Sequence, residues 1–363
     1  GSLAAHAEGY PTAPELLAKV KAGNPNRGRD FIGEGHDTEG SQWIIDVVDA
    51  DDPRPVVIAI WGGQTDLAQA LSRVQTDRSP EEYAAFVARI RVHDIADQGD
   101  IFDWMWGQHP GLWYVLDSAQ SGGRCASVFR GMFLGGDLSL VTPEWLDEHV
   151  VNDHGPLGAL YPTDGLWTCG NGIDALKEGD TPSWFYFLRH GVNDPAHPEW
   201  GGWGGRFELD DGVYRDAMDT AGGETSRIAT VFRWRPIFQA DFQARLDWCV
   251  RGPAEANHAP TAVLEGDETR EVVIVTADAG ADVALSAAGS TDPDGDEVSY
   301  SYWVYEEAGS YDGTVSLSGA DARDVEVSVP ADAAGLSIHV VLEVTDSGSP
   351  PLTSLRRAVI DVR

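Results

Sequence analysis

The clearest pattern is Val56 to Trp61, an unbroken apolar run of the kind a strand shows when both faces of a parallel sheet are covered. Gly62-Gly63-Gln64-Thr65-Asp66 follows it, and Leu67, Ala70, Leu71 and Val74 then repeat at helical spacing. The order recurs. Ser79-Pro80-Glu81-Glu82 is a capping box with proline at the first helical position, and Phe86, Val87 and Ile90 carry the buried stripe. Arg91 to Ile95 reads as the next strand and ends in Asp97-Gln98-Gly99-Asp100. Leu112 to Leu116 gives a third strand, and Thr142-Pro143 and Phe238 to Val250 give further helices. Near the start, Thr12 to Glu15 caps a short helix with Leu16, Leu17 and Val20 on its apolar face. Trp43, Ile44, Val47 and Val48 mark another helix after the polar turn Gly33 to Ser41. Strand, polar loop and helix in alternation predict a doubly wound, mainly parallel α/β domain over 1–252, whose ligands sit outside the strand carboxyl ends. The loops 33–41, 62–66 and 97–100 are expected there.

After a linker over 253–260 the period changes to two. Val283 to Ser286, Val298 to Tyr305, Val325 to Val329 and Ile338 to Val344 alternate between Gly, Asp and Pro turns, which predicts an immunoglobulin-like β-sandwich over 261–363. The turn Gly289-Ser-Thr-Asp292-Pro-Asp294-Gly-Asp296 has acids at every second position, but Trp303 stands where an EF-hand loop needs its glutamate. A tight hairpin turn is the expectation.

Among 363 residues the net charge is −34, and Lys19, Lys21 and Lys177 are the lysines. Phosphate-backbone binding needs Lys and Arg to displace counterions, so nucleic acid is not the expected partner. No apolar run reaches membrane-spanning length, so no membrane partner is expected, and an acid-rich surface suits a secreted or extracytoplasmic protein. Cys125, Cys169 and Cys249 lack the close spacing of a zinc or redox motif. Cys125 and Cys169 lie in Gly-rich loops and can pair in an oxidising compartment; Cys249, on a helical pattern, is expected to be a buried small hydrophobe.

Candidate chemistry concentrates in Glu178 to Arg206. Thr181-Pro182 reads as an N-cap with proline at the first helical position, which puts Asp180 just before a helix N-terminus, where an anion or a carboxylate holding a cation is stabilised. The Trp200-Gly-Gly-Trp203-Gly-Gly-Arg206 run pairs indoles with permissive backbone. Two readings stay open for Trp200 and Trp203: sugar-stacking faces, or core plugs beneath a tight loop. Asp180 is likewise either a ligand or a plain cap.

The runs WIIDVVDADDPRPVVIAIWGGQTDLAQAL, EGDTPSWFYFL, DPAHPEWGGWGGRF, FRWRPIFQADFQARLDW, GSTDPDGD and IHVVLEVTDSGSPPLT resemble a family of secreted bacterial cellulose-binding proteins. In that family a nucleoside-hydrolase-like domain precedes an immunoglobulin-like one. The resemblance spans nearly the whole chain. A more distant similarity joins Gly62 to Ala68 and Asp180-Thr-Pro to the nucleoside hydrolases, which cleave N-ribosides with the help of calcium. It implies that Asp180 is a metal ligand, with Gly179 standing where those enzymes carry a leaving-group histidine. The strand bearing their main calcium acids has no counterpart before Ala4, so the domain apparently lacks its first strands. Either an upstream chain segment completes it, or that half of the site is lost.

The leading expectation is a carbohydrate-active hydrolase of a glycosidic bond, acting on a polysaccharide or oligosaccharide. It needs a carboxylate to activate water and an acid for the leaving group, for which Glu34, Asp37, Glu39, Asp97 and Glu178 are candidates, with His36 as an alternative acid. Gln64, Asp66, Gln98, Trp200, Trp203 and Arg206 are the expected substrate contacts, and calcium at Asp180 the expected cofactor. The alternative is a non-catalytic cellulose- or polysaccharide-binding protein, in which the aromatic loop and Trp303, Tyr305 and Tyr311 do the work. An N-ribosyl hydrolase is third.

Overall fold

The computed structural model describes residues 3–163, Cys169 and 178–363. The chain forms two compact units, one made of Pro11–Phe129 with Phe207–Asp216, the other of Gly1–Tyr10, Arg130–Arg206 and Ala217–Arg363.

The first unit is the α/β one. Strands β1 (Val56–Ile60), β2 (Ile90–Ile95), β3 (Trp113–Asp117), β4 (Phe207–Asp210) and β5 (Val213–Asp216) form one sheet in the order β1-β2-β3-β5-β4. All neighbours are parallel except β4 and β5, a hairpin closed by Asp211 and Gly212, both at positive φ. The helices Glu39–Asp49, Thr65–Asp77 and Pro80–Ala88 bury Ile45, Val48, Leu67, Leu71, Val74, Phe86 and Val87 in one core with Ile60, Ile90, Val92, Tyr114 and Leu116 of the strands. The Ser79 capping box forms as its sequence requires, Ser79 Oγ accepting from Glu82 N and Glu82 from Ser79 N. The early helix, Ala13–Leu17, differs from expectation: it forms behind its capping box, yet Leu16 and Leu17 are exposed, as is Val20. At five residues it is too short to hold itself on propensity alone, and Glu15, accepting from Thr12 N and Thr12 Oγ1, ties its first turn.

The second unit holds the period-two strands. β6 (Asp219–Ala221) and β7 (Glu224–Ser226) are a small hairpin. A four-stranded sheet contains β8 (Val273–Ala277), β10 (Val298–Val304), β13 (Ser337–Asp346) and β14 (Thr353–Val362) in the order β10-β13-β14-β8. A three-stranded sheet contains β9 (Asp282–Ser286), β11 (Ser316–Ser318) and β12 (Asp324–Ser328) in the order β11-β12-β9. Leu285, Tyr302, Val325, Val327, Ile338, Val340, Leu342 and Ile360 fill the core between them. The 253–260 segment is fastened: Trp248 Nε1 donates to Asn257 O at 2.8 Å, and Asn257 Nδ2 donates to Asp346 and to Pro350 O. In the acidic turn, Asp292 Oδ1 accepts from Asp294 N and Asp296 N, so the aspartate builds the turn.

Candidate functional site

At the carboxyl end of β1 the chain turns through Trp61, Gly62, Gly63 and Gln64 into the Thr65–Asp77 helix. Opposite lies the loop Asn24 to Arg27. Together Asn24, Pro25, Asn26, Arg27, Gly62, Gly63, Thr65 and Asp66 line a cavity of about 320 Å³. The glycines make it: a Cβ on Gly63 would sit 3.2 Å from Arg27 Cδ, so the arginine lies directly against bare backbone. Asp66 fixes the far wall, accepting from Asn24 N at 3.0 Å and from Thr38 Oγ1. Thr65 is buried, and its Oγ1 has no hydrogen-bond partner. Trp61, which precedes Gly62, is 50% exposed.

A second loop holds this turn in place. After β2, Ala96, Asp97 and Asp100 all have positive φ, at 67°, 43° and 53°, a region that costs a non-glycine residue about 1 kcal/mol or more. Its contacts offset that cost. Gln98 Nε2 donates to Trp61 O at 2.9 Å, and Gln64, fully buried, donates to Asp94 and Asp97 while accepting from Gly99 N. Asp97 also accepts from Ile101 N and Phe102 N, which caps the Phe102–Gln108 helix. Beneath lies a buried polar layer that the sequence patterning did not single out: His93, Asp94, Tyr114 and Asp117. Tyr114 donates to Asp94 Oδ2 at 2.6 Å. Burial pushes the Asp94 carboxyl up to about 7 and the His93 imidazole down to about 3. Period-two alternation hides such residues, because a polar residue inside a short apolar strand looks like a surface position.

The acids expected to be catalytic do not gather into a free pair. Asp37 is ion-paired to Arg73 and accepts from Gln69, and Glu39 accepts from Ala22 N beside Lys21. Glu34 is exposed, and His36 stands edge-on to Phe31. Asp97 is spent on the cap just described. In the other unit, Glu178 accepts from Thr181 Oγ1 at 2.6 Å. The helix there runs Thr181–Phe187, so Asp180, not Thr181, holds the cap position, and its side chain makes no cap hydrogen bond. The shift follows from Glu178 capturing the threonine hydroxyl that was expected to cap.

The aromatic loop is built as a plug. Trp200 stacks on His197 at 3.9 Å and meets His339 edge-on, while Trp203 stacks on His190 at 4.6 Å and packs against Phe185 and Phe238. Arg206 is buried, its Nε donating to Asp219 at 2.7 Å and its Nη2 to Met218 O. It anchors the loop. Gly204 is the tight point, since a Cβ there would lie 2.4 Å from Tyr186 N and 2.5 Å from Pro182 O. Gly204→Ala should therefore cost about 1–3 kcal/mol, read as a lowered urea midpoint with unchanged slope.

Among the described residues no three His, Cys, Asp or Glu side chains group so as to hold a metal ion, whereas calcium takes roughly six to eight oxygens. Cys249 is free and half-buried, where full burial was expected; Cys125 and Cys169 are disulfide-bonded. No helix among the described residues is long and apolar enough to cross a membrane.

Residues 1–207 match the family described as "Cellulose-binding Sde182, nucleoside hydrolase-like domain", and residues 282–362 match "Cellulose-binding protein Sde0182, C-terminal domain". The chain belongs to the cellulose-binding Sde182 family. A solved relative, a nucleoside hydrolase-related hypothetical protein from Saccharophagus degradans that is associated with carbohydrate metabolism, is 35% identical. The match covers 100% of this chain and 84% of that one, with a TM-score of 0.81. The Sde182-family chain thus has a nucleoside hydrolase-related fold, as its sequence resemblance implied. Partial likenesses to a PKD domain from the KIAA 1837 protein (19% identity, 25% of this chain and 79% of that one, TM-score 0.20) and to human CDH23 EC21-23 (17%, 29% and 33%, 0.22) are also found. No curated protein matches.

Proposed function

We propose that this chain is a non-catalytic polysaccharide-binding protein of the outside medium, with cellulose or a related neutral glucan as its ligand. One observation carries the reading: Asp37, Glu39, Asp97 and Glu178 are each committed to ion pairs, caps or a hydroxyl, while Trp61 is half exposed. Glycosidic hydrolysis needs two carboxyl groups flanking the bond, roughly 5–9.5 Å apart. Committed acids cannot move protons freely, whereas indole faces and amide or hydroxyl groups suit sugar rings. The family's cellulose-binding description supports the ligand class, and two disulfide-bonded cysteines suit an oxidising compartment.

The hydrolytic reading keeps one supporting observation, the Asp94 carboxyl held near 7 beside a strained loop. Against it, Asp94 is wholly buried beneath Gln64 and Tyr114. Incubating the protein with insoluble cellulose separates the two. Depletion from the supernatant without release of reducing ends is expected. Reducing-end release above the blank, or of free base from nucleosides, would replace the binding reading with an enzymatic one.

A further inference from the structure

We propose that His6 and His258 form a two-imidazole site for a divalent transition ion of the zinc class. His6 ends the short helix Leu3–His6, and His258 lies in the 253–260 segment, both within the second unit.

The partners of the two rings fix where their protons are. His6 Nε2 stands 2.9 Å from Arg251 O, and a carbonyl only accepts, so this nitrogen carries a proton. His258 Nδ1 stands 3.0 Å from both carboxylate oxygens of Asp294, which also accepts from His258 N at 2.8 Å, so this nitrogen donates as well. Both tautomers are thus assigned from the surrounding hydrogen bonds. A neutral imidazole has one ring N–H, and each ring has spent it. The remaining nitrogens, His6 Nδ1 and His258 Nε2, therefore meet lone pair to lone pair at 3.0 Å. Two acceptors repel at that distance. A cation between them, either a metal ion or one extra proton, turns the repulsion into two bonds.

The surroundings favour the metal ion. Metal-ligating histidines commonly rest their second nitrogen on a carboxylate or a backbone carbonyl; His258 has the first and His6 the second. Zinc–nitrogen bonds of roughly 2.0–2.1 Å place two imidazole nitrogens roughly 3.3 Å apart in a tetrahedral site, a small opening from the gap present here. The rings are also set in advance. His6 stacks on Trp248 with the planes 2° apart, His258 lies at 33° to the same indole, and Trp248 Nε1 is tied to Asn257 O next to His258. A chain of net charge −34 gathers cations around it. Asp294 acts as a positioning residue behind His258, so two imidazoles are the protein's share and water fills the other positions. Such a site is open and exchangeable, unlike a four-ligand structural zinc.

The test titrates the full chain, stripped with EDTA, with Zn²⁺ in excess Mg²⁺, which occupies surface carboxylates and leaves imidazole free. Calorimetry is expected to show one equivalent bound in a step that His6→Gln and His258→Gln each abolish, and that Asp294→Asn weakens about tenfold. Zinc should raise the melting temperature of the parent and of neither histidine variant. Nitrogen NMR of the parent's imidazoles gives a readout that needs no variant to fold: zinc should shift His6 Nδ1 and His258 Nε2 while the protons on His6 Nε2 and His258 Nδ1 stay in place. No zinc step, or one that both histidine variants keep, overturns the site. So does a zinc-free chain whose two rings share three protons at pH 7 and keep them when zinc is added, since the bridging cation is then a proton.

Discussion

Replacing Asp219 with alanine is expected to cost about 3–5 kcal/mol of stability, the penalty for leaving buried charges unpaired. Asp219 is wholly buried. Its Oδ1 accepts from Arg206 Nε at 2.7 Å, and its Oδ2 accepts from Arg233 Nη1 at 2.7 Å and from the Tyr305 hydroxyl at 2.5 Å. Arg233 and Arg357 lie 4.1 and 5.1 Å from the centre of the Tyr305 ring, and Arg357 donates on to Trp200 O and Gly201 O. One carboxylate therefore answers two guanidinium groups directly and a third through Tyr305. Removing it leaves like charges in a low-dielectric setting with Glu307 as the remaining acid on Arg233. Urea unfolding followed by tryptophan fluorescence measures the loss. A change below about 1 kcal/mol would mean that water reaches the cluster and replaces the carboxylate.

Acidification should destabilise the protein well before its surface carboxylates titrate. Burial lowers His93 to about 3, His109 to about 4, His190 to about 3 and His339 to about 2, from an ordinary 6.5. Each is neutral when folded and takes up a proton when unfolded. Its contribution is complete above pH 6.5 and is lost as pH falls toward the folded value. Asp94 has the opposite sign. Its folded carboxyl, raised from 3.8 to about 7, keeps a proton that the unfolded chain releases, so its contribution is present at low pH and lost as pH rises through 7. In the α/β unit two histidines stand against one aspartate, leaving one net proton taken up on unfolding. In the other unit two histidines act together, opposed in part by Asp180, Glu343 and Asp346, all raised by burial. At about 1.4 kcal/mol per pH unit for each net proton, stability should drop between pH 6.5 and 5 in both. Urea midpoints at pH 7, 6 and 5 provide the measurement, and midpoints that hold steady or climb on acidification would refute it.

Which parts of this were legible in the sequence follows from what each residue type does locally. The run Val56 to Trp61 and the Ser79 box announce their elements because continuous apolarity and a reciprocal cap are decided within a few residues. The strands Ser337–Asp346 and Asp324–Ser328 follow from alternation. The β4-β5 hairpin is not legible although Asp211-Gly212 is a turn pair, because flanking strands of four residues carry too little pattern. The site was harder. Glycine-flanked tryptophans signal close packing, but whether the indole then faces a ligand or a histidine depends on partners far along the chain, His339 among them. For the same reason the sequence singles out the acids as groups and leaves their hydrogen-bond partners unread. A carboxylate's availability is set by which backbone N–H or arginine reaches it, and Arg73, Ile101 and Thr181 are named by no local rule.

Gln64 places a limit on how this protein can diversify. Its amide nitrogen faces the carboxylates of Asp94 and Asp97 and its oxygen faces the Gly99 N–H, so no other orientation of the amide satisfies both ends. Glutamate, a single-atom change, would gather three acids in one buried space; leucine or methionine would leave two carboxylates facing a hydrocarbon. Mutational drift at 64, 94 and 97 is thus locked together, and a single-site saturation library at Gln64 should return almost nothing but glutamine. Loop 24–27 shares none of those three hydrogen bonds and can change without disturbing them.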